Sequence, residues 1–340
     1  MNLLDERNPD MLSMVASENV VERPESVPVS NGVENLGGNL ELSLSEVYEA
    51  LHFRNTKVPN PIPFHIIFHG KIKGIEDSVI IKRIPRPGRN EGRLVLLAEM
   101  IELRRLNHPK IAPFVGFCWE EKQCYIIYNV KTRGTLADFL HGKRRRPGGP
   151  LDFCKRMKIA QEVAQGLEYL HNKLNPPVVH VGMKSSNVLL DWNFEAVLCD
   201  VNLLDFPTGY FDKEILKDGL TPPSADVYVF GVLLLEIISG KQVFFGENKT
   251  PLLDWARVKL MNKEYDSLVD NVIIDGGGYE CHRLDRALQL VEMCIRPDES
   301  KRPGMDYVVR FFDVITGFSF IEEDGSPPDS LLSINDGLYI

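Results

Sequence analysis

The sequence predicts an α+β chain of two unequal parts: a small β-rich part with one main helix, then a larger helical part. Three observations predict it. Residues 58–130 carry short apolar runs, one of them alternating at Phe64, Ile66 and Phe68, around a single helical pattern. After Gly134 the apolar spacing changes to three and four residues. The length of 340 residues, with 44% hydrophobic and 26% charged content, suits one large domain or two small ones with ordinary cores.

Each element follows from local pattern. Residues 1–40 are polar and rich in Asn, Glu, Ser and Gly, which predicts a flexible arm. Ser43 and Glu46 have capping-box spacing, and Leu44, Val47, Tyr48 and Leu51 follow at helical intervals. This predicts a flanking helix within 41–57, ending near Arg54. Phe64, Ile66 and Phe68 alternate, and Val79-Ile80-Ile81 follows a polar turn, so strands are expected over 64–84. A Pro/Gly-rich loop leads to a helix at about 93–106, then strands at Ile111–Trp119 and Tyr125–Val130. Residues 131–318 form the helical part, with helices expected at 152–171, 225–239, 252–261, 283–295 and 304–316. A β patch at Asn187–Asp200 interrupts them, and 319–340 is an acidic tail.

Composition narrows the function. Forty-eight acids against 39 bases give a net charge of −9, so no nucleic-acid partner is expected. No apolar run reaches 18 residues, and no transmembrane segment or secretory signal is expected. Residue 2 is Asn, so no N-myristoylation is expected. The six cysteines form no C-x-x-C pair and read as reduced core residues. The basic run Lys143–Arg146 reads as a solvated loop, with an acidic or phospholipid partner as the sharper alternative. Peripheral membrane association therefore stays open.

Four residues stand out on local physics. Lys82 shares a strand face with Ile80; if that face is inward, its ammonium needs an acid or an anion. Glu99 lies on the apolar stripe of Leu96, Leu103 and Leu106, and an internal Lys82–Glu99 pair would explain both residues. Asn187 and Asp200 flank two apolar triplets. A hairpin closed around 193–194 sets residue 187 opposite 200, which places two oxygen donors together as a candidate Mg²⁺ site.

The order strand lysine, helix glutamate, Asn, Asp resembles a protein kinase domain. The resemblance is to plant receptor-like and receptor-like cytoplasmic kinases. Val79–Lys82 resembles the strand-lysine motif and Ala98-Glu99-Met100 the helix glutamate. Leu106-Asn107-His108-Pro109, Val115–Cys118, Gly166–His171, Asp226–Val232 and Arg302-Pro303 also resemble motifs of that family. Ile127–Val130 resembles the hinge, with Tyr128 at the gatekeeper position. The resemblance spans roughly 40–318 and implies a two-lobed kinase-like fold, with 58–130 as the N-lobe and 131–318 as the C-lobe. It implies Lys82, Glu99, Asn129, Val130, Lys184, Asn187 and Asp200 as nucleotide-binding candidates, and Asn187 and Asp200 as metal ligands. Glu214, Asp226 and Arg302 match structural positions, and Thr208 and Tyr210 lie in the activation-like segment as candidate phosphosites, with exposed turn residues as the plainer alternative.

Three catalytic parts depart together. No register restores a G-x-G-x-x-G loop near Phe64, Ile66 and His69. The catalytic loop reads His180-Val181-Gly182-Met183-Lys184-Ser185-Ser186-Asn187, with Gly182 at the base position. General-base catalysis contributes about 10²–10⁴-fold, or roughly 3–5 kcal/mol of barrier. The metal motif reads Asp200-Val201-Asn202. The expectation is a catalytically impaired kinase-like protein, a pseudokinase, with no catalytic residue. It would be a cytoplasmic scaffold or allosteric partner of an active kinase or receptor, at the inner face of the plasma membrane. ATP binding is expected to be weak or metal-independent. The alternatives are a weak or unconventional Ser/Thr kinase and an ATP-sensing switch without turnover.

Overall fold

The computed structural model describes residues 41–52, 67–75, 78–84, 100–120, 124–142, 149–201, 210, 221–276 and 280–317. Among the described residues the N-lobe holds a four-stranded antiparallel sheet, and the C-lobe is mainly helical. The sheet comprises β1 (Ile67–Gly70), β2 (Val79–Ile84), β3 (Phe114–Trp119) and β4 (Cys124–Tyr128), in the order β1-β2-β4-β3.

Strand alternation divides this sheet into two apolar faces. Val79, Ile81, Tyr125, Ile127 and Cys118 face outward from the lobe junction, and helix α1 (Leu44–His52) covers them with Val47, Ala50 and Leu51. The capping box forms as its spacing predicts: Ser43 N donates to Glu46 Oε2 at 2.8 Å, and Glu46 N donates to Ser43 Oγ at 3.3 Å. Leu42 N also donates to Phe117 O at 2.7 Å, which ties the helix's entry to the sheet edge. The expected flanking helix is therefore part of the N-lobe core. The opposite face carries Ile80, Ile84, Ile126 and Tyr128 into the core that continues through the C-lobe. Lys82 pairs with Ile126 and Ile80 with Tyr128, so Lys82 and Tyr128 lie on that inner face together.

In the C-lobe, β5 (Gly134–Thr135), β6 (Val188–Leu190) and β7 (Ala196–Leu198) form a small sheet. It packs on α2 (Leu136–His141) and α3 (Phe153–Glu168), and α3 in turn packs on α4 (Pro223–Ser239). β8 (Phe244–Phe245), β9 (Thr250–Pro251), α5 (Leu252–Met261), α6 (Asn271–Gly276), α7 (Cys281–Cys294) and α8 (Met305–Thr316) complete it. Helix α4 is buried from Ala225 to Ser239, because its residues are apolar on every side. Gly231 lets α7 approach closely: a Cβ there would sit 2.7 Å from Cys294 Cβ and Ile295 Cγ2.

Two readings need correction. The β6–β7 hairpin aligns Val188 with Leu198, so Asn187 lies beside Cys199 rather than opposite Asp200. The turn spans Asp191–Glu195 with Phe194 at φ 60°, which centres the hairpin on residue 193 and moves the register by one. Cys154 and Cys281 are exposed, each near the start of a helix, while the other four cysteines are buried. Residues 100–105 are helical, within the expected helix; Glu99 lies outside the described residues.

The two lobes meet along main chain. Ala112 N donates to Leu198 O at 2.7 Å, and Leu198 N donates to Lys110 O at 2.9 Å. Below this seam, fully buried Asp226 accepts from His180 N at 2.6 Å, Val181 N at 3.0 Å and His171 Nε2 at 2.8 Å. These bonds hold Val181 at φ 62°, a region where a β-branched residue is a true outlier. Asp226→Ala leaves two buried amides unpaired, at about 1–3 kcal/mol each. The expected outcome is a urea midpoint lowered by the equivalent of about 3 kcal/mol, with the m-value unchanged.

Candidate functional site

The junction of the lobes gathers the residues singled out by sequence. Lys82 is fully buried at the middle of β2. Its Nζ donates to Asn187 Oδ1 at 2.6 Å and forms an ion pair with Asp200 Oδ2. The Lys82 side chain thus crosses from N-lobe to C-lobe and links two residues that hairpin pairing alone leaves apart. Asn187 closes a single turn of 3₁₀ helix, Ser185–Asn187, and its Nδ2 donates to Gly182 O at 2.7 Å.

Asp200 follows β7 and adopts φ 61°, a left-handed conformation that Asp tolerates better than most residues. Tyr128 holds it there. The Tyr128 hydroxyl donates to Asp200 Oδ1 at 3.0 Å and accepts from Asp200 N at 3.0 Å. Burial opposes ionisation of Asp200, but the Lys82 ammonium and the Tyr128 hydroxyl outweigh it and keep the carboxyl below the usual range. Burial, then the neighbouring Asp200 charge, raises the Tyr128 phenol well above its ordinary value. All three side-chain oxygens of Asn187 and Asp200 therefore accept bonds from the protein itself.

The other candidates fall around this centre. Gly182 is buried, and its position supplies a carbonyl to Asn187 but no side chain. Lys184 precedes the 3₁₀ turn and is half-buried, near enough to help lower the Asp200 carboxyl. Asn129 and Val130 follow β4 at the lobe connection, with Asn129 N donating to Pro113 O at 2.9 Å. Arg302 donates to Arg296 O, Ser224 O and Pro297 O and lies 5.0 Å from the Tyr228 ring centre. Its expected partner Glu214 lies outside the described residues, as does Thr208.

Tyr210 corrects the expectation of an exposed turn. It is buried, with its hydroxyl bonded to Glu236 Oε2 and accepting from Ser185 N at 3.1 Å. In this arrangement the hydroxyl is not presented to an upstream kinase. Glu236 itself escaped the sequence reading. It lies within α4 and also accepts from Ser185 Oγ at 2.9 Å and His141 Nε2 at 2.8 Å. A signal was present, since an acid inside an apolar helix must find partners. Only the fold shows which ones.

Residues 63–312 match the family model described as protein tyrosine and serine/threonine kinase. The chain belongs to the protein kinase family. It is 32% identical over 285 residues to the probable serine/threonine-protein kinase PBL23 of Arabidopsis thaliana, covering 77% of this chain and 72% of that one. It is 30% identical over 298 residues to the Arabidopsis receptor-like kinase LIP2, covering 80% and 52%. It is 33% identical over 261 residues to a probable LRR receptor-like serine/threonine-protein kinase of the same plant, covering 72% and 28%. The chain thus spans only about a quarter to a half of the length of several of these relatives. Among the described residues no helix is long and apolar enough to cross a membrane, and no cluster of three or more metal-ligating side chains forms.

A kinase domain implies ATP and magnesium in general. The donor set here does not fit a divalent ion as it stands. A hard cation shared by Asn187 and Asp200 needs their oxygens, and the Lys82 ammonium already bridges them.

One group in the loop has a clear pH consequence. His180 is fully buried, and neither ring nitrogen has a hydrogen-bond partner among the described residues. Burial pushes its imidazole below the ordinary value, against the opposing pull of Asp226 and Asp200. The unfolded pKa is about 6.5. Stability from the neutral ring is therefore complete above about pH 6.5 and is lost as pH falls from there through the native value. In thermal melts, His180→Phe is expected to match the parent at pH 8 and to exceed it increasingly below pH 6.5.

Proposed function

We propose that this chain is a pseudokinase, a kinase-like protein that does not transfer phosphate at an ordinary rate. It acts as a scaffold or allosteric partner for an active kinase or receptor, on the cytoplasmic side of the plasma membrane. The observation that carries the reading is Gly182: the loop keeps its anchor on Asp226 but has no side chain where the family places its proton acceptor. The carboxylates bonded to this loop and its neighbours cannot substitute for it. Asp226 and Glu236 each accept from three donors, and Asp200 is committed to Lys82 and Tyr128.

The relatives support the setting. Several are named as receptor-like kinases, and PBL23 as a probable serine/threonine kinase. A chain that retains their fold while its lobes are joined by internal bonds is suited to presenting a fixed surface. A second reading, nucleotide binding without turnover, is favoured by the convergence of Lys82, Asn187 and Asp200 at the lobe junction.

The test is phosphate transfer from labelled ATP, to the protein itself and to generic Ser/Thr and Tyr substrates, beside an active family member. The expected rate lies at least about 10²–10⁴-fold below that member, the share that a general base supplies. Turnover at the rate of the active member, lost in Lys82→Met, overturns the reading and establishes an unconventional kinase.

A further inference from the structure

The cation position between Asn187 and Asp200 is filled by the protein's own lysine, and a tyrosine from the neighbouring strand seals it. We propose that Tyr128 excludes divalent metal from this site by holding Asp200 against the Lys82 ammonium, so that a nucleotide bound between the lobes is taken without metal. This deepens the pseudokinase reading and rests on it.

The geometry carries the inference in three steps. First, Lys82 Nζ bonds both Asn187 Oδ1, at 2.6 Å, and Asp200 Oδ2. These are the two oxygens that a shared dication would bind. Magnesium binds oxygen at about 2.0–2.1 Å, which places it where the ammonium nitrogen already sits. Two cations cannot occupy that point together, and in a buried site their repulsion is weakly screened.

Second, the remaining carboxylate oxygen is not left for metal either. Tyr128 donates to Asp200 Oδ1 and accepts from the Asp200 amide, both at 3.0 Å. One hydroxyl thus restrains both the side chain and the main chain of the same residue. Swinging the carboxylate out to meet an ion breaks the first bond, and relaxing the φ of 61° breaks the second.

Third, Tyr128 cannot readily withdraw. It is almost completely buried at the end of β4, pairs with both Ile80 and Phe114, and packs edge-on to the Phe114 ring at 6.3 Å between centres. Its burial places the hydroxyl at Asp200 whether or not a ligand is near. A phenylalanine would keep the ring packing and remove both bonds to Asp200.

The experiment is calorimetric titration of the full chain with a non-hydrolysable ATP analogue, in EDTA and in millimolar Mg²⁺. It is run on the parent and on Tyr128→Phe. The parent is expected to respond equally in the two buffers, to within about twofold. Tyr128→Phe is expected to gain about tenfold or more in affinity on adding Mg²⁺, the scale set by one hydrogen bond to a charged acceptor. A parent that already binds more tightly with Mg²⁺, or a variant with no Mg²⁺-dependent gain, overturns the proposal. A measurement on the unmodified protein keeps the test independent of the variant's folding. Mn²⁺ titrated with ADP and followed by electron paramagnetic resonance is expected to stay free, and protein-bound Mn²⁺ at micromolar concentrations overturns the proposal. Metal-dependent binding without phosphate transfer removes only the role of Tyr128, whereas brisk transfer removes the pseudokinase reading itself.

Discussion

A buried ammonium on the middle of a sheet must be neutralised, and the architecture of the lobe junction follows from that demand. Lys82 lies on the inner face of the N-lobe sheet because β2 alternates and Ile80 and Ile84 face the same core. Its partners come from the other lobe, Asn187 from the catalytic-loop segment and Asp200 from beyond β7. Tyr128 reaches Asp200 from β4, on the same face as Lys82. The result is a polar knot between two apolar bodies, with each member satisfied by another. Such a network is costly to open partway, because each broken bond leaves a buried group unpaired.

The C-lobe holds the other half of the knot in place. Helix α4 carries acids at two positions, and each anchors a loop. Asp226 fixes the main chain at His180 and Val181, while Glu236 collects Ser185, Tyr210 and His141. Between those anchors lies the stretch that contains Gly182. The loop is thus anchored on both sides of position 182, which itself carries no side chain. Retention of the anchors and loss of the side chain are separable in physical terms: none of the anchoring bonds uses a side chain at 182.

Much of this was legible in the sequence. The capping box at Ser43–Glu46, the shared strand face of Lys82 and Ile80 and the long C-lobe helices follow from period and cap chemistry, which are local. The pairing of Asn187 with Asp200 was anticipated for an inexact reason. The hairpin register is displaced by one because Phe194 takes a left-handed conformation, and Lys82 then brings the two oxygens together. The Tyr128–Asp200 bonds and the burial of Tyr210 were not legible, since both depend on contacts between segments more than twenty residues apart. A tyrosine in an activation-like segment reads as exposed until the acid that receives its hydroxyl is known.

Lys82 and Asp200 are bonded directly to each other across the lobe junction. A double-mutant cycle tests it most directly: denaturant unfolding of the parent, Lys82→Met, Asp200→Asn and the double variant, all in EDTA without nucleotide. Removing one partner of a buried pair is expected to cost about 3–5 kcal/mol, and the double variant is expected to lose much less than the sum of the two. Additive losses, with no coupling between the two positions, would contradict the account.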